Sequence, residues 1–310
     1  MDTLTFPDGF TVLTTGGTGF SGQRFLLQGV ERGVTLHNIS TSATAIDGVT
    51  QHQVDLRNGD TVEAIVQQVN PDAIVHLAAG GVKYGTGSLR DLIQVNVLGL
   101  EALFSGAARL VTPPLFAIAG SWFEYADQTS PLHENDPLGA SIPYTLTKTM
   151  AAQVAAYYSQ TFPVALLRVF SLYGVGEKPP RLFPYIIEQA KAGEPVELTP
   201  GEQIRDYVYV DDAAEGFWRL LAHMQDSEPD LLTMNMGTGK GHSLRELVLV
   251  LSEQLTRRGL TPDVRFGVKP YRPNETMYAV ADVGKLERTL GWLPSTPLAD
   301  GMNRMIDSLL

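Results

Sequence analysis

The segment Phe10-Thr11-Val12-Leu13-Thr14-Thr15-Gly16-Gly17-Thr18-Gly19-Phe20-Ser21-Gly22 constrains this fold more than any other stretch. An apolar, β-branched run ends at Thr15. Glycines at positions 16, 19 and 22 lead into the helix-forming run Gln23-Arg24-Phe25-Leu26-Leu27. In a dinucleotide site one such glycine makes the turn, one lets the backbone approach a pyrophosphate, and one lets the helix pack close to the strand. The anion then lies against unpaired N–H groups at the helix N-terminus. Glycine spacing alone also fits a plain structural turn, so the choice rests on residues further along the chain.

The first half alternates apolar strands with helical stretches, the pattern of a parallel sheet covered on both faces. Strands are predicted at Thr11–Thr14, Thr35–Ile39, Thr50–Val54, Ala73–His76, Leu115–Ala119 and Ala165–Val169. Helices are predicted at Gly22–Arg32, Thr61–Asn70, Leu89–Arg109 and Tyr144–Thr161. From about Gly174 prolines and longer loops increase, with a helix expected at Leu182–Ala192 and a short periodic run at Leu244–Arg258. The expected fold is a Rossmann-type, doubly wound α/β sheet over residues 1–173. A smaller substrate-binding α/β region at 174–310 covers its C-terminal edge, where open α/β sheets bind ligands. A segment at about 207–236 is expected to return to the first unit.

Composition removes several function classes. A net charge of −11 argues against a nucleic-acid partner, which is bound through a Lys and Arg excess. It leaves room for a small anion held by a few placed cations. The absence of cysteine excludes disulfides, thiolate metal sites and cysteine nucleophiles. The six histidines are scattered, and no metal site is expected. No apolar run reaches the roughly 20 residues that span a membrane, and Met1-Asp2-Thr3-Leu4-Thr5 does not read as a signal peptide. A cytoplasmic enzyme is the expectation.

Tyr144 and Lys148 stand four apart, on one face of a helix. A phenol with a pKa of about 10 is a poor acid–base group at neutral pH. The ammonium one turn away is expected to favour the phenolate and lower that value. The same spacing also occurs on solvated helices. Ser121 follows a predicted strand at the ligand-binding edge, where its hydroxyl can bond a carbonyl or alcohol oxygen that Tyr144 protonates or deprotonates. The plainer reading is a loop or cap serine. His76, inside an apolar strand, reads as a satisfied core histidine, and Asp211-Asp212 as helix caps.

With these groups the chain resembles the extended short-chain dehydrogenases/reductases, in their nucleotide-sugar epimerase, dehydratase and ketoreductase branch. Thr15-Gly16-Gly17-Thr18-Gly19-Phe20-Ser21-Gly22 matches TGxxGxxG, Tyr144 to Lys148 matches YxxxK, and Ser121 precedes Tyr125 as the active-site serine does. Val54-Asp55-Leu56, His76-Leu77-Ala78-Ala79, Asn96, Arg168 to Gly174, Gln203 to Asp212 and Arg272-Pro273 are similar to further markers in order. The resemblance implies that Ser121, Tyr144 and Lys148 are catalytic. It implies a cofactor site of Gly16, Thr18, Gly19, Phe20, Asp55, Leu56, Leu77, Ala78, Ala79, Asn96, Tyr144 and Lys148. It also implies that Arg205 and Arg272 hold a substrate diphosphate, with Lys83, Tyr84, Ser121, Trp122 and Ser171 near the sugar. A homodimer through the helices Leu89–Arg109 and Tyr144–Thr161 is implied as well.

Departures from the family pattern narrow the function. Members that use NAD carry an acid at the end of the second strand. Here that position is read as His37, and with Asn38, Ser40, Thr41 and Ser42 it suits a 2′-phosphate. NADPH is therefore favoured over NAD, although no arginine lies in the stretch. Dehydratases place Asp-Glu after the active-site hydroxyl; Trp122 and Phe123 transfer no protons, so dehydration is not expected. Ser171 replaces an asparagine. The expected activity is 4-ketoreduction of a nucleoside diphosphate 4-keto-6-deoxyhexose. The alternatives are an NAD-dependent 4-epimerase and a non-catalytic NAD(P)-binding protein.

Overall fold

An apolar strand, β1 (Thr11–Thr15), turns into α1 (Phe20–Glu31), and the unit recurs through β2 (Thr35–Ser40), β3 (Val49–Gln53), α2 (Gly59–Val69) and β4 (Ala73–His76). The computed structural model describes residues 4–81, 87–273 and 275–310. Lys83 and Tyr84 lie outside the described residues. The chain continues through α3 (Leu89–Ile93), α4 (Gly99–Ala107), β5 (Leu115–Ser121), α5 (Pro143–Tyr158) and β6 (Pro163–Val169). Next come β7 (Ser171–Tyr173), α6 (Leu182–Ala192), β8 (Val196–Glu197), β9 (Ile204–Tyr209), α7 (Val210–Met224) and β10 (Asp230–Met236). The last part holds β11 (Gly241–Ser243), α8 (Leu244–Thr256), β12 (Val264–Arg265), β13 (Tyr278–Ala279), α9 (Gly284–Leu290) and α10 (Leu298–Leu309).

Seven strands form one parallel sheet in the order β10-β6-β5-β4-β1-β2-β3. Successive strand residues point to opposite faces, so neighbours in sequence feed two cores. Val12, Leu36 and Val75 pack with Phe25 and Trp218 on one side. Leu13, Ile39 and Ile74 pack with Phe104 and Phe116 on the other. The sheet is a Rossmann-like α/β fold. A second sheet, β11-β9-β13 with β7 against β9, and the β8–β12 pair lie beyond it. They share a third core of Tyr173, Phe183, Leu247 and Met302.

The stretch Leu89–Arg109, expected as one helix, is interrupted. A π-helical turn at Gln94–Leu98 separates α3 from α4. Its widened ladder inserts a residue into the helix, and the buried Asn96 lies within it. Asp211 and Asp212 differ from the expectation too. They lie in the first turn of α7, whose N-cap is Tyr209. Asp211 pairs with Arg24 on α1, while Asp212 accepts from the Ser295 and Thr296 N–H groups. They tie α7 to its neighbours instead of capping it.

Candidate active site

The glycine loop is braced so that little but backbone faces the ligand edge of the sheet. Gly16 has φ +75°, and a Cβ there would sit 2.7 Å from the Ala78 backbone. A Cβ on Gly22 would sit 2.2 Å from the Gly16 carbonyl oxygen, so α1 begins hard against the turn. Behind the loop the Gly17 N–H donates to Asn38 Oδ1 (2.9 Å), and Asn38 Nδ2 donates to Gln51 Oε1 (2.8 Å). Gly19, the N-cap of α1, brings no side chain to bond the first helical N–H groups. Those donors suit a pyrophosphate.

A cavity of about 1210 Å³ runs along this edge. Gly16, Thr18, Gly19 and Phe20 line it together with Ser40, Asp55 and Leu56. Leu77, Ala78 and Ala79 line it as well, as do Ser121, Tyr144 and Lys148. Trp122, Ser171, Arg181 and Arg272 belong to the same lining, the Arg181 guanidinium 5.8 Å from the centre of the Phe20 ring. A spine of glycine backbone, uncapped helix donors and a long slot fit an extended dinucleotide with a second ligand beside it.

The structure moves three expected residues. β2 ends at Ser40, because the Gly16 N–H bonds Ile39 O (3.1 Å) and this register carries the strand one residue further. Ser40 and Thr41 therefore face the cavity, whereas His37 lies away from its lining, its Nδ1 3.0 Å from His52 Nε2. Burial, followed by the His52 charge, lowers the His37 pKa. Asn38 is buried behind the glycine loop. Arg205 also lies outside the lining: its guanidinium bonds the carbonyls of Ile204 and Thr276 and Glu275 Oε1, over the Trp122 ring.

Asn96 spends its amide on the protein. It accepts from Gly80 N (2.6 Å) and donates to Gly80 O (3.1 Å) and Thr147 Oγ1 (2.9 Å). The loop after β4 is thereby fixed to α5. His76 Nδ1 lies 2.8 Å from Thr15 Oγ1, and burial, with the Lys148 charge second, drops its pKa to about 3. It is neutral at physiological pH.

Pro143 opens α5, where its missing N–H costs nothing. Tyr144 therefore stands at the first turn, its ring edge-on to Phe123 and its hydroxyl bonded to Ser121. Burial pushes its pKa up to about 12; the Ser121 hydrogen bond opposes this and the Glu124 charge adds to it. This reverses the expected lowering by Lys148. The Lys148 ammonium donates instead to Ala119 O, and burial lowers its own pKa against the opposing charge of Glu124. Desolvation is the largest influence on both groups.

Several cavity residues carried no signal in the sequence. Arg57, paired with Asp55 (2.6 Å), lines the cavity. Arg181 is the N-cap of α6, and Lys178 and Glu177 precede it. Burial raises the Glu177 pKa to about 7, Arg181 opposing, and its Oε2 has no hydrogen-bond partner among the described residues. A cation just before a predicted helix was the one available hint. Among the described residues, no group of three His, Asp or Glu side chains is placed to hold a metal ion.

A model of the NAD dependent epimerase/dehydratase family matches residues 12–237. The chain belongs to this family. CDP-abequose synthase of Salmonella typhimurium is 26% identical, over 96% of this chain and 98% of that protein. A UDP-glucose 4-epimerase of Cyamopsis tetragonoloba is 29% identical, over 91% and 90%. The UDP-glucose 4-epimerase of Thermus thermophilus in complex with NAD superposes with a TM-score of 0.82 at 25% identity, over 96% and 98%. The family match spans the glycine loop, the cavity's central wall and the Tyr144–Lys148 turn.

Proposed function

We propose that the protein is an NADP(H)-dependent ketoreductase that reduces the 4-keto group of a nucleoside diphosphate 4-keto-6-deoxyhexose. A nicotinamide dinucleotide, when bound, supplies the hydride. Tyr144 gives its phenolic proton to the carbonyl oxygen, so that C=O becomes CH–OH. The Ser121 hydroxyl holds that oxygen in place, at hydrogen-bond reach of the phenol. Lys148, anchored on Ala119 O, has further N–H donors that would hold the ribose of a bound nicotinamide nucleotide. Arg181 and Arg272 bring two cations to the cavity, which suits a diphosphate carried by an acidic protein.

The observation that carries the reductase reading is the field at Tyr144. Burial and the nearby Glu124 charge favour the phenol, the form that donates a proton. The strand end supports NADPH: Ser40 stands where NAD users present an acid, and an uncharged hydroxyl does not repel a 2′-phosphate. The 4-epimerases among the relatives favour a second reading, in which NAD is reduced and reoxidised within one turnover.

Incubation with dTDP-, UDP- and CDP-linked 4-keto-6-deoxyglucose and NADPH separates the two. The reductase consumes one NADPH per sugar with at least one of the three. Conversion of UDP-glucose to its 4-epimer without added reductant, and no NADPH loss with any keto sugar, overturns the reading.

A further inference from the structure

Glu124, three residues after Ser121, is fully buried and lies outside the cavity lining. A buried carboxylate is costly unless paired and hydrogen-bonded. This one has both kinds of partner. Its Oε1 accepts the Ser121 backbone N–H (2.7 Å), and its Oε2 accepts Arg168 Nε (2.9 Å) from the neighbouring strand β6. Arg168 is itself held by the Tyr125 hydroxyl (3.0 Å) and the Glu134 carbonyl (2.9 Å). A Cβ on Gly120 would lie 2.8 Å from Glu124 Oε1, so the glycine leaves the space this carboxylate fills. The same carboxylate acts electrostatically on both Tyr144 and Lys148.

We propose that Glu124 is a positioning residue for catalysis: clamped by Arg168, it fixes the end of β5 that carries Ser121 and brings a carboxylate close enough to act on Tyr144 and Lys148. This rests on the reading that Ser121 and Tyr144 handle the proton. Burial pushes the Glu124 pKa up, and the Arg168 and Lys148 charges oppose this and favour its anion; that anion adds to burial in favouring the Tyr144 phenol and supports the ammonium of the buried Lys148. Of the other charged groups, Arg181, from the N-terminus of α6, acts on Tyr144 in the opposite sense. His76, on β4, acts with Lys148 and is neutral.

The test is Glu124→Gln, which keeps an acceptor for Ser121 and removes the charge. Tyr144 ionisation is followed by NMR of protein carrying ¹³C-labelled tyrosine, with Tyr144→Phe supplying the assignment. The Tyr144 titration should move about one pH unit lower, the usual scale for loss of a neighbouring charge. With a 4-keto sugar nucleotide and NADPH, kcat should fall at least about tenfold, while KM for NADPH stays within about twofold. Should Arg168, left unpaired, unfold that variant, Glu124→Gln/Arg168→Met removes both charges, and the same Tyr144 shift is expected. A folded variant whose Tyr144 titrates as in the wild type overturns the proposal. The NMR arm needs no substrate, so failure of the ketoreductase reading is distinguishable from failure of this one.

Discussion

Gly22→Ala tests whether the glycine loop is shaped for a ligand. The added methyl carbon would lie 2.2 Å from the Gly16 carbonyl oxygen, 2.7 Å from Gly17 Cα and 2.9 Å from the Gly16 carbonyl carbon, all backbone atoms. Loop and helix must part by about 1 Å to reach ordinary contact, an overpacking that costs about 1–3 kcal/mol. Neither partner yields freely. The helix is tied to α7 by Trp218 Nε1 donating to Phe25 O (3.1 Å) and by the Arg24–Asp211 pair, and the loop is tied to β2 through Asn38. The N–H groups that would receive a pyrophosphate move with whichever part gives way. Losing one hydrogen bond to a charged oxygen costs about 1.5–3 kcal/mol, which corresponds to roughly a 10- to 150-fold weaker dissociation constant. Titration of NADPH fluorescence measures this, and a thermal melt reports the packing cost as a drop of a few degrees. A variant that binds NADPH within twofold of the wild type refutes the reasoning.

Other outcomes follow from single contacts. Asn38→Ala strands the buried Gly17 N–H and Gln51 amide, and should lower stability by about 2–4 kcal/mol in urea unfolding. Ser40→Asp puts a carboxylate at the end of β2, and the NADH-to-NADPH affinity ratio should rise at least about tenfold in fluorescence titrations. Glu177 has a folded pKa near 7, raised above its usual value, so the folded state holds the extra proton between about pH 4.5 and 7. Wild-type stability should therefore fall across that window relative to Glu177→Gln, as read from paired urea melts. Arg181→Gln should raise the dissociation constant for UDP, dTDP or CDP, measured calorimetrically, about tenfold.

The parts legible in the sequence are those fixed by local chemistry. Strand-to-glycine-to-helix is a local pattern, and Ala73–His76 and Leu182–Ala192 read correctly because apolar runs and flanking breakers mark their ends. The Ser121–Tyr144–Lys148 cluster is legible as a motif, and the structure brings the three to one cavity. The end of β2 is not legible. Its last residue is set by pairing with β1 across the sheet, and a small error in placing it points His37 where Ser40 stands. Arg205 has the right chemistry for a phosphate, but its guanidinium is engaged by two carbonyls and the Glu275 carboxylate, two of these three partners distant in sequence. β10 has little flanking punctuation, and only its pairing with β6 defines it. The Tyr144 pKa runs opposite to expectation because helical spacing reveals the nearby ammonium and says nothing about desolvation. Glu124 and Arg168, 44 residues apart, meet only once β5 and β6 pair.

The central claim is that Tyr144 delivers the proton as a hydride reaches the substrate carbonyl. Single-turnover reduction of a 4-keto sugar nucleotide by the NADPH-loaded Tyr144→Phe variant tests it most directly. The chemical step should slow at least about a hundredfold, with NADPH affinity within about twofold of wild type. A variant that reduces the ketone at the wild-type rate contradicts the account.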